Sequence, residues 1–398
     1  MAIFCSLTLF GLGLYWTLRL GYADFLAGRS AEDLARATSL VPLRHDYWMR
    51  RAAFKDGASQ EARHFLETAA KLNPREAQVW IDLGRQAELT GDFPRAERCL
   101  LEAARVSKQF DPRWALVNYY CRRGDDRFWP WARKAFLASY GDRTPLFELC
   151  SNCSDSDDDI LSRAIPDNHQ ILDQYLYFLL TKNQLDSAET VVRKLLERAS
   201  ADDVPILLLH CNILIENGRL SPALALWNAL VSKQLVPYDS LVPEAGKSLT
   251  NGNFVHAPLR GAFDWTVPRV DGVEVEALGD RQSLEILLNG QQPENSEVLS
   301  QFLPLMPLRN YQLRFEYELS SMESVTGLQW SLMLPSRLEL SSQSPRLSNK
   351  EWKQETVGFS TMADTRLVRL ALIDKRVSGS TRTTGTITLR KVTLSFTR

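Results

Sequence analysis

Cysteine, aspartate and tryptophan supply the residues whose spacing could do chemistry. Cys150-Ser-Asn-Cys153 runs straight into Asp155, Asp157 and Asp159. A Cys-x2-Cys pair can be half of a zinc site, a redox dithiol or a local disulfide, and zinc needs a second ligand pair at matching spacing. His45, His64, His169, His210 and His256 are isolated, and Cys99, Cys121 and Cys211 fall where helices pack inward. Cys150 and Cys153 therefore read as ordinary cysteines, with a local disulfide as the alternative. The three aspartates imitate the start of a calcium loop. Ile160 stands where that loop requires Gly, however, and Pro166 where it requires the closing Glu. They are expected to form an exposed acidic loop capping the next helix, and no metal is expected.

Aromatic rings beside amides or carboxylates are the chemistry of sugar binding: rings stack on pyranose faces while polar groups fix the hydroxyls. Trp265, Trp330 and Trp352, with Asp264 and Gln329 nearby, are the candidates. The alternative is that these tryptophans pack inside the fold, as large rings usually do. Nucleophile elbows, phosphate loops, dinucleotide fingerprints and His-Glu-x-x-His are all missing, and no carboxylate pair stands out as a glycosidase's would. The expectation is a protein that is not an enzyme and carries no cofactor.

At 398 residues the chain should hold two or three domains. Its 47 Lys+Arg against 48 Asp+Glu leave a net charge of -1, which speaks against nucleic acid as a partner. The run Ala2–Leu18 carries no charge before Arg19. Its length is at the short end of a membrane span, Tyr15, Trp16 and Tyr22 could sit at an interface, and Arg19 could snorkel to it. Residues 1–22 are expected to be a single-pass anchor, with a cleaved signal or a buried core helix as alternatives. The folded part is expected outside the cytoplasm.

A second pattern repeats at an offset of 34: Ala62, Leu66 and Ala69 against Ala96, Leu100 and Ala103, and Trp80 against Trp114. The best unit is Trp80-x2-Leu83-Gly84-x2-Ala87, then Gly91-Asp92-Phe93, then Ala96-x3-Leu100-x2-Ala103. It resembles tetratricopeptide repeats, pairs of antiparallel helices that stack on one another. Gly84, Ala87 and Ala96 would let the paired helices approach, Leu100 and Ala103 would face the next repeat, and Asn73-Pro74 would end a helix. Weaker copies start at Trp114, Leu185 and Leu220, giving five or six helix pairs over residues 28–236. The resemblance implies a concave groove lined by fixed first-helix positions. Those are Arg44, Tyr47, Arg51, Phe54 and Lys55, then Gln78, Ile81, Arg85, Glu88 and Leu89, then Pro112, Ala115, Tyr119, Arg122 and Arg123. Such a groove would be basic and aromatic and would suit an acidic or extended protein partner; the alternative is a set of solvated helix faces. The Lys/Asn pattern that clamps a C-terminal carboxylate is absent.

From residue 246 to 398 the pattern changes to short alternating strands: Leu284–Leu288, Tyr311–Leu319, Gly327–Leu334, Lys353–Phe359, Leu367–Ile373 and Thr386–Phe396. Eight or nine strands in two antiparallel sheets are expected, with Pro304–Asn310 forming a hairpin edge. The opening Leu249-Thr-Asn251-Gly252-Asn253-Phe254, then Phe263-Asp264-Trp265 and the ending Gly385-Thr-Ile387-Thr-Leu389 resemble galactose-binding-type jelly rolls of carbohydrate-binding modules. They also resemble the last domain of membrane-anchored bacterial tetratricopeptide proteins of envelope and exopolysaccharide systems. Val255 and Arg390-Lys391 replace the acidic residues of the calcium site such modules often hold. The expected fold is multidomain, α then β: a transmembrane helix, an α-solenoid of tetratricopeptide-like pairs, and an antiparallel β-sandwich. Its expected role is a membrane-anchored scaffold, with a protein in the repeat groove and polysaccharide on the sandwich. The alternatives are a protein-only scaffold with a structural sandwich and a glycan-active enzyme.

Overall fold

The computed structural model describes residues 2–322, 326–334 and 340–397, except the side chains of residues 2–9, 340, 341 and 397. It divides into two compact units, Met1–Phe178 and Leu179–Arg398. The helices of the first unit are α1 (Ala2–Ala27), α2 (Ala31–Leu40), α3 (His45–Ala53), α4 (Gln60–Leu72), α5 (Ala77–Leu89), α6 (Phe93–Val106), α7 (Phe110–Arg123), α8 (Phe128–Ala138), α9 (Thr144–Cys153) and α10 (Asp157–Asp159). A π-helical turn follows at Ile160–Ala164, and α11 (His169–Thr181) closes the series.

Consecutive helices pack as pairs, α1 with α2, α3 with α4, α5 with α6 and α7 with α8. The reason is visible at the crossing of α5 and α6. A Cβ on Gly84 would stand 2.7 Å from Leu100 and 3.2 Å from the Ala96 carbonyl. Leu100 thus covers Gly84 inside its own pair instead of facing only the next repeat. Ala62, Leu66, Ala69 and Ala70 in α4 are buried just as Ala96, Leu100, Ala103 and Ala104 are in α6. The N-caps follow ordinary chemistry: Ser59 Oγ accepts from the Ala62 amide and Asp92 Oδ1 from that of Arg95, both at 3.1 Å. Gly91, at φ +79°, turns the chain from α5 into α6.

The first helix departs from the anchor expectation. Among the described residues, no helix is long and apolar enough to cross a membrane. The end of α1 is part of the repeat core: Ala23, Leu26 and Ala27 are buried against Leu34, Ala37, Val41 and Tyr47. Arg19 does not reach away from the fold. Its Nε and Nη2 donate to the Leu40 carbonyl at 2.9 and 2.6 Å, satisfying an orphan acceptor at the end of α2.

The cysteines also differ from expectation. Cys153 pairs with Cys121, tying α9 to α7 across 32 residues with a Cα–Cα distance of 5.8 Å. Cys150 is a buried free thiol whose pKa is pushed up to about 12 by burial. The spacing of two makes a 150–153 bond look natural, but the packing of α9 beside α7 brings Cys121 to Cys153, while Cys150 turns into the core as a free thiol. The acidic run is not the expected loop cap: Asp157–Asp159 form α10 themselves, and the cap is Ser156, whose Oγ accepts from the Asp159 amide at 3.2 Å.

The second unit contains α12 (Leu185–Glu197), α13 (Val204–Glu216) and α14 (Leu220–Ser232), followed by the strands. The helices from Leu185 on therefore group with the sheets, which the change of residue pattern near 246 does not mark. The strands are β1 (Val273–Leu278), β2 (Ser283–Asn289), β3 (Asn295–Pro304), β4 (Asn310–Ser320), β5 (Leu328–Met333), β6 (Leu340–Gln343), β7 (Lys353–Ser360), β8 (Leu367–Lys375) and β9 (Thr384–Thr397). One antiparallel sheet runs β1-β2-β9-β4-β7 and the other β3-β8-β5-β6. Tyr311, Leu313, Phe315, Tyr317 and Leu319 of β4 all point inward, as their alternation requires. Pro304–Asn310 is not a hairpin edge: β3 and β4 lie in different sheets, so this segment crosses between them.

Two predictions follow from these packings. Reduction, or Cys121→Ser, should lower the stability of the helical part by about 4 kcal/mol, the chain-entropy value for closing a loop across 32 residues; chemical denaturation with and without reductant measures it. His210 in α13 is 1% exposed, and burial, aided by Arg219, depresses its pKa to about 4. The unfolded chain then binds a proton that the folded chain refuses. Stability should be complete above about pH 6.5 and fall between there and pH 4 by on the order of 3 kcal/mol. In His210→Leu that component of the pH dependence should vanish from urea titrations.

Candidate functional site

Two surfaces meet the sequence expectations, the groove of the repeats and the faces of the sandwich. The groove is built by α3, α5 and α7. Trp48 and Trp80 each donate an indole N–H to a proline carbonyl six residues back, Pro42 and Pro74, both at 2.9 Å. These matching clamps are 32 residues apart, whereas the second helices keep the offset of 34. The cause is the length of the first helix: α3 ends five residues after Trp48 whereas α5 ends nine after Trp80, which outweighs the longer connection of the first pair, six residues against three. First-repeat positions carried over at 34 are consequently two residues out of register. Tyr47 is fully buried, with its hydroxyl on Asp24 at 2.5 Å, and Met49 and Ala53 line the groove in its place.

A cavity of about 240 Å³ lies between α3 and α5, lined by Met49, Ala53, Lys55, Asp82, Arg85 and Leu89. A second, of about 340 Å³, lies between α5 and α7, lined by Gln78, Ile81, Arg85, Glu88, Ala115 and Arg122. Arg85 borders both, with its side chain 68% exposed and only a long 3.8 Å contact to Asp82. Asp82 is drawn toward neutrality by burial, against the opposing pull of Gln78 and Arg85.

The remaining expected cations are engaged within the chain. Arg44 pairs with Asp46 at 2.9 Å and Asp24 at 3.5 Å. Arg51 stacks on Phe65 at 4.1 Å, Arg123 stacks on Phe93 at 4.0 Å, and Lys55 pairs with Glu61 at 2.6 Å. Arg122 makes a bidentate pair with Glu88 at 2.8 and 2.7 Å. Phe54 and Leu89 are exposed, whereas Tyr119 is buried with its hydroxyl on the Phe93 carbonyl and Pro112 is buried as well. The groove is thus apolar in its floor, mixed in charge along its walls, and less basic than the residue types alone imply.

On the sandwich the structure separates the five glycan candidates. Trp265 and Trp330 are fully buried 5.9 Å apart at the centre of the core, flanked by Phe254 and Phe315. Asp264 is fully buried too, and accepts from the Tyr238 hydroxyl at 2.7 Å and the Leu259 amide at 2.6 Å. Burial raises its pKa against those bonds. Gln329 is half-buried on β5, opposite Ile373. Trp352 alone of the three rings has substantial exposure, 39%, and one face carries the Arg390 guanidinium at 3.7 Å. Arg390 and Lys391 bond the two oxygens of Glu316 at 2.6 and 3.0 Å, and together hold its carboxyl below the usual range. Nearby, Glu276, Glu285, Thr388 and Glu318 stand in one row across β1, β2, β9 and β4.

No protein-family model matches the chain, and no curated protein matches it. Solved structures with a similar fold include a CBM4 structure, 14% identical over 38% of this chain and 100% of that one, with a TM-score of 0.31. They include YrrB, a TPR protein with an unusual peptide-binding site, 14% identical over 52% of this chain and 94% of that one, with a TM-score of 0.26. A third is the CBM1 of BiXyn10A, 18% identical over 36% of this chain and 94% of that one, with a TM-score of 0.26. The chain itself runs from helix pairs to two antiparallel sheets.

The two environments of tryptophan make a direct comparison. Trp330→Ala should destabilise the chain by about 3–5 kcal/mol through the cavity it leaves. Trp352→Ala should cost under about 1 kcal/mol, the value of an exposed cation–π contact. Urea denaturation of the two variants checks the assignment.

Proposed function

We propose that the chain is a non-catalytic binding scaffold. Its repeats hold an extended segment of a protein partner and its sandwich contacts glycan, in envelope or exopolysaccharide assembly outside the cytoplasm. The observation that carries the reading is the pair of cavities that meet at Arg85. Together they offer an apolar floor with polar atoms on both walls, which is what an extended peptide presents in turn. Arg85 is the cation least committed to an internal partner, so it is the group that a carboxylate on the ligand would meet. The Cys121–Cys153 bond supports an oxidising compartment. Contact with a membrane would fall to the first part of α1, whose Phe10, Leu12, Leu14, Tyr15, Trp16 and Leu18 side chains are exposed, and would be made at its surface, since among the described residues no helix is long and apolar enough to cross. For the sandwich, Trp352 and the polar row beside it favour glycan. The burial of Trp265, Trp330 and Asp264 favours a second reading, in which the sandwich is structural and both parts serve protein contact.

The full chain should select acidic extended peptides from a displayed library, with affinity falling as salt rises. Arg85→Glu combined with Arg122→Glu should weaken the best peptide at least about tenfold by fluorescence anisotropy, equivalent to roughly 1.4 kcal/mol. Unchanged affinity in that double variant would remove the groove from the mechanism. Retardation in polysaccharide-containing gels tests the sandwich separately; migration unaltered by every polysaccharide would leave the protein-only reading.

A further inference from the structure

The turn that opens the β domain encloses a pocket that none of the expected site residues lines. It lies where residues 238–253 fold against the bulge of β9, and its volume is about 320 Å³. That is the lower end of the range for small-ligand sites, about 300–1,000 Å³, and so suits one ring rather than a chain of rings. The walls are rigid for identifiable reasons. The Val392 amide donates to the Gly252 carbonyl at 2.8 Å, and a Cβ on Gly252 would fall 2.0 Å from the Val392 carbonyl, so only glycine lets the turn lie this close. Asn251, Phe254 and Lys391 hold left-handed backbone conformations, with φ between +49° and +51°. Such strain persists only where the surroundings over-determine it. Asn251 is further fixed by its side-chain amide on the His256 carbonyl at 2.8 Å.

The lining chemistry is that of hydroxyl recognition. Ser240, Asn253 and Thr393 contribute hydroxyls and an amide, Asp239 and Lys247 one charge of each sign, and the Tyr238 ring, stacked on Trp227, an apolar wall; the Thr250 hydroxyl is already spent on the Phe263 carbonyl at 2.6 Å. Ser248 also lines the pocket, is 2% exposed, and among the described residues its hydroxyl has no hydrogen-bond partner. Leaving a buried hydroxyl unpaired is unfavourable, and a ligand hydroxyl would satisfy it. We infer that this pocket binds a single sugar ring, with Ser248 and Asn253 bonding ring hydroxyls and the Tyr238 side facing an apolar ring edge. The inference rests on the glycan reading of the sandwich and moves its site away from Trp352.

Saturation-transfer NMR of the full chain with glucose, galactose, mannose, N-acetylglucosamine and glucuronate, each at millimolar concentration, tests it. At least one sugar should show transfer to its ring protons. Ser248→Val, which removes the buried hydroxyl, and Asn253→Ala, at the exposed rim, should each weaken that sugar at least fivefold, and Trp352→Ala should leave it unchanged. Asn253 is exposed, so its variant remains informative if Ser248→Val unfolds. Transfer from none of the five sugars, or unchanged affinity in Asn253→Ala and a folded Ser248→Val, overturns the pocket. If polysaccharide gels still retard the chain in that case, and Trp352→Ala abolishes the retardation, the glycan reading stands at Trp352 without the pocket. If no gel retards it and no sugar binds, both fall.

Discussion

Two helices can nest only where side-chain volume nearly vanishes at their crossing, and the repeat half of this protein is arranged around that condition. At Gly84 there is room for hydrogen alone, because Leu100 and the Ala96 carbonyl occupy the space a methyl would need. Ala62, Ala69, Ala96 and Ala103 extend the same condition along the second helices. Once backbones are this close, larger residues such as Phe65 and Leu66 fill the flanks, and the first helices are left side by side. The groove is thus a consequence of tight pairing elsewhere: α3, α5 and α7 line a surface because α4 and α6 take up the burial.

The second unit solves a different problem, that of joining helices to sheets through polar backbone. Asn228 imitates a peptide group, with its side chain donating to the Leu241 carbonyl at 2.9 Å and accepting from the Leu241 amide at 2.8 Å. Asn212 accepts from the Ala262 amide at 2.6 Å, where the chain holds φ at +54°. Trp227 stacks on Tyr238 and meets Phe263 edge-on, and Tyr238 in turn bonds the buried Asp264. Side chains thereby supply partners to several irregular backbone groups between α14 and β1, and other backbone groups pair with one another, as Val242 does with Lys247. This is what allows a segment without regular structure to pack tightly enough to wall a pocket.

Charge is distributed by the same logic. The chain is close to neutral, and its arginines are mostly spent on internal carboxylates, on rings or, as with Arg19, on a helix end. A surface counted as basic from residue types becomes mixed once Arg122 is bound to Glu88 and Arg44 to Asp46. What is left for a partner is the unevenness of this pairing, greatest at Arg85. On the sandwich, the cations Arg390 and Lys391 lean on Glu316, while Glu276, Glu285 and Glu318 stand in the adjacent row.

Much of the architecture was legible in the residues. The spacing of small side chains marked the helix pairs, Gly91-Asp92 marked a turn, Leu185 and Leu220 marked helix starts, and alternation marked β2, β4, β5, β7, β8 and β9. These signals are local, since burial of one face imprints its period on neighbouring residues. β3 escaped because it is buried on both faces over much of its length, and β1 because it is a half-buried edge strand carrying glutamates. The pairing of Cys153 with Cys121, the two-residue slip of the first repeat, and the fate of each tryptophan were settled only in three dimensions. A side chain's type states what it can do at a surface, but Trp330 and Trp352 differ only in what packs over them, and those atoms come from strands tens of residues away. Sequence determined the periods and hence the elements; tertiary packing decided partners and exposure, because both depend on contacts that no local pattern records.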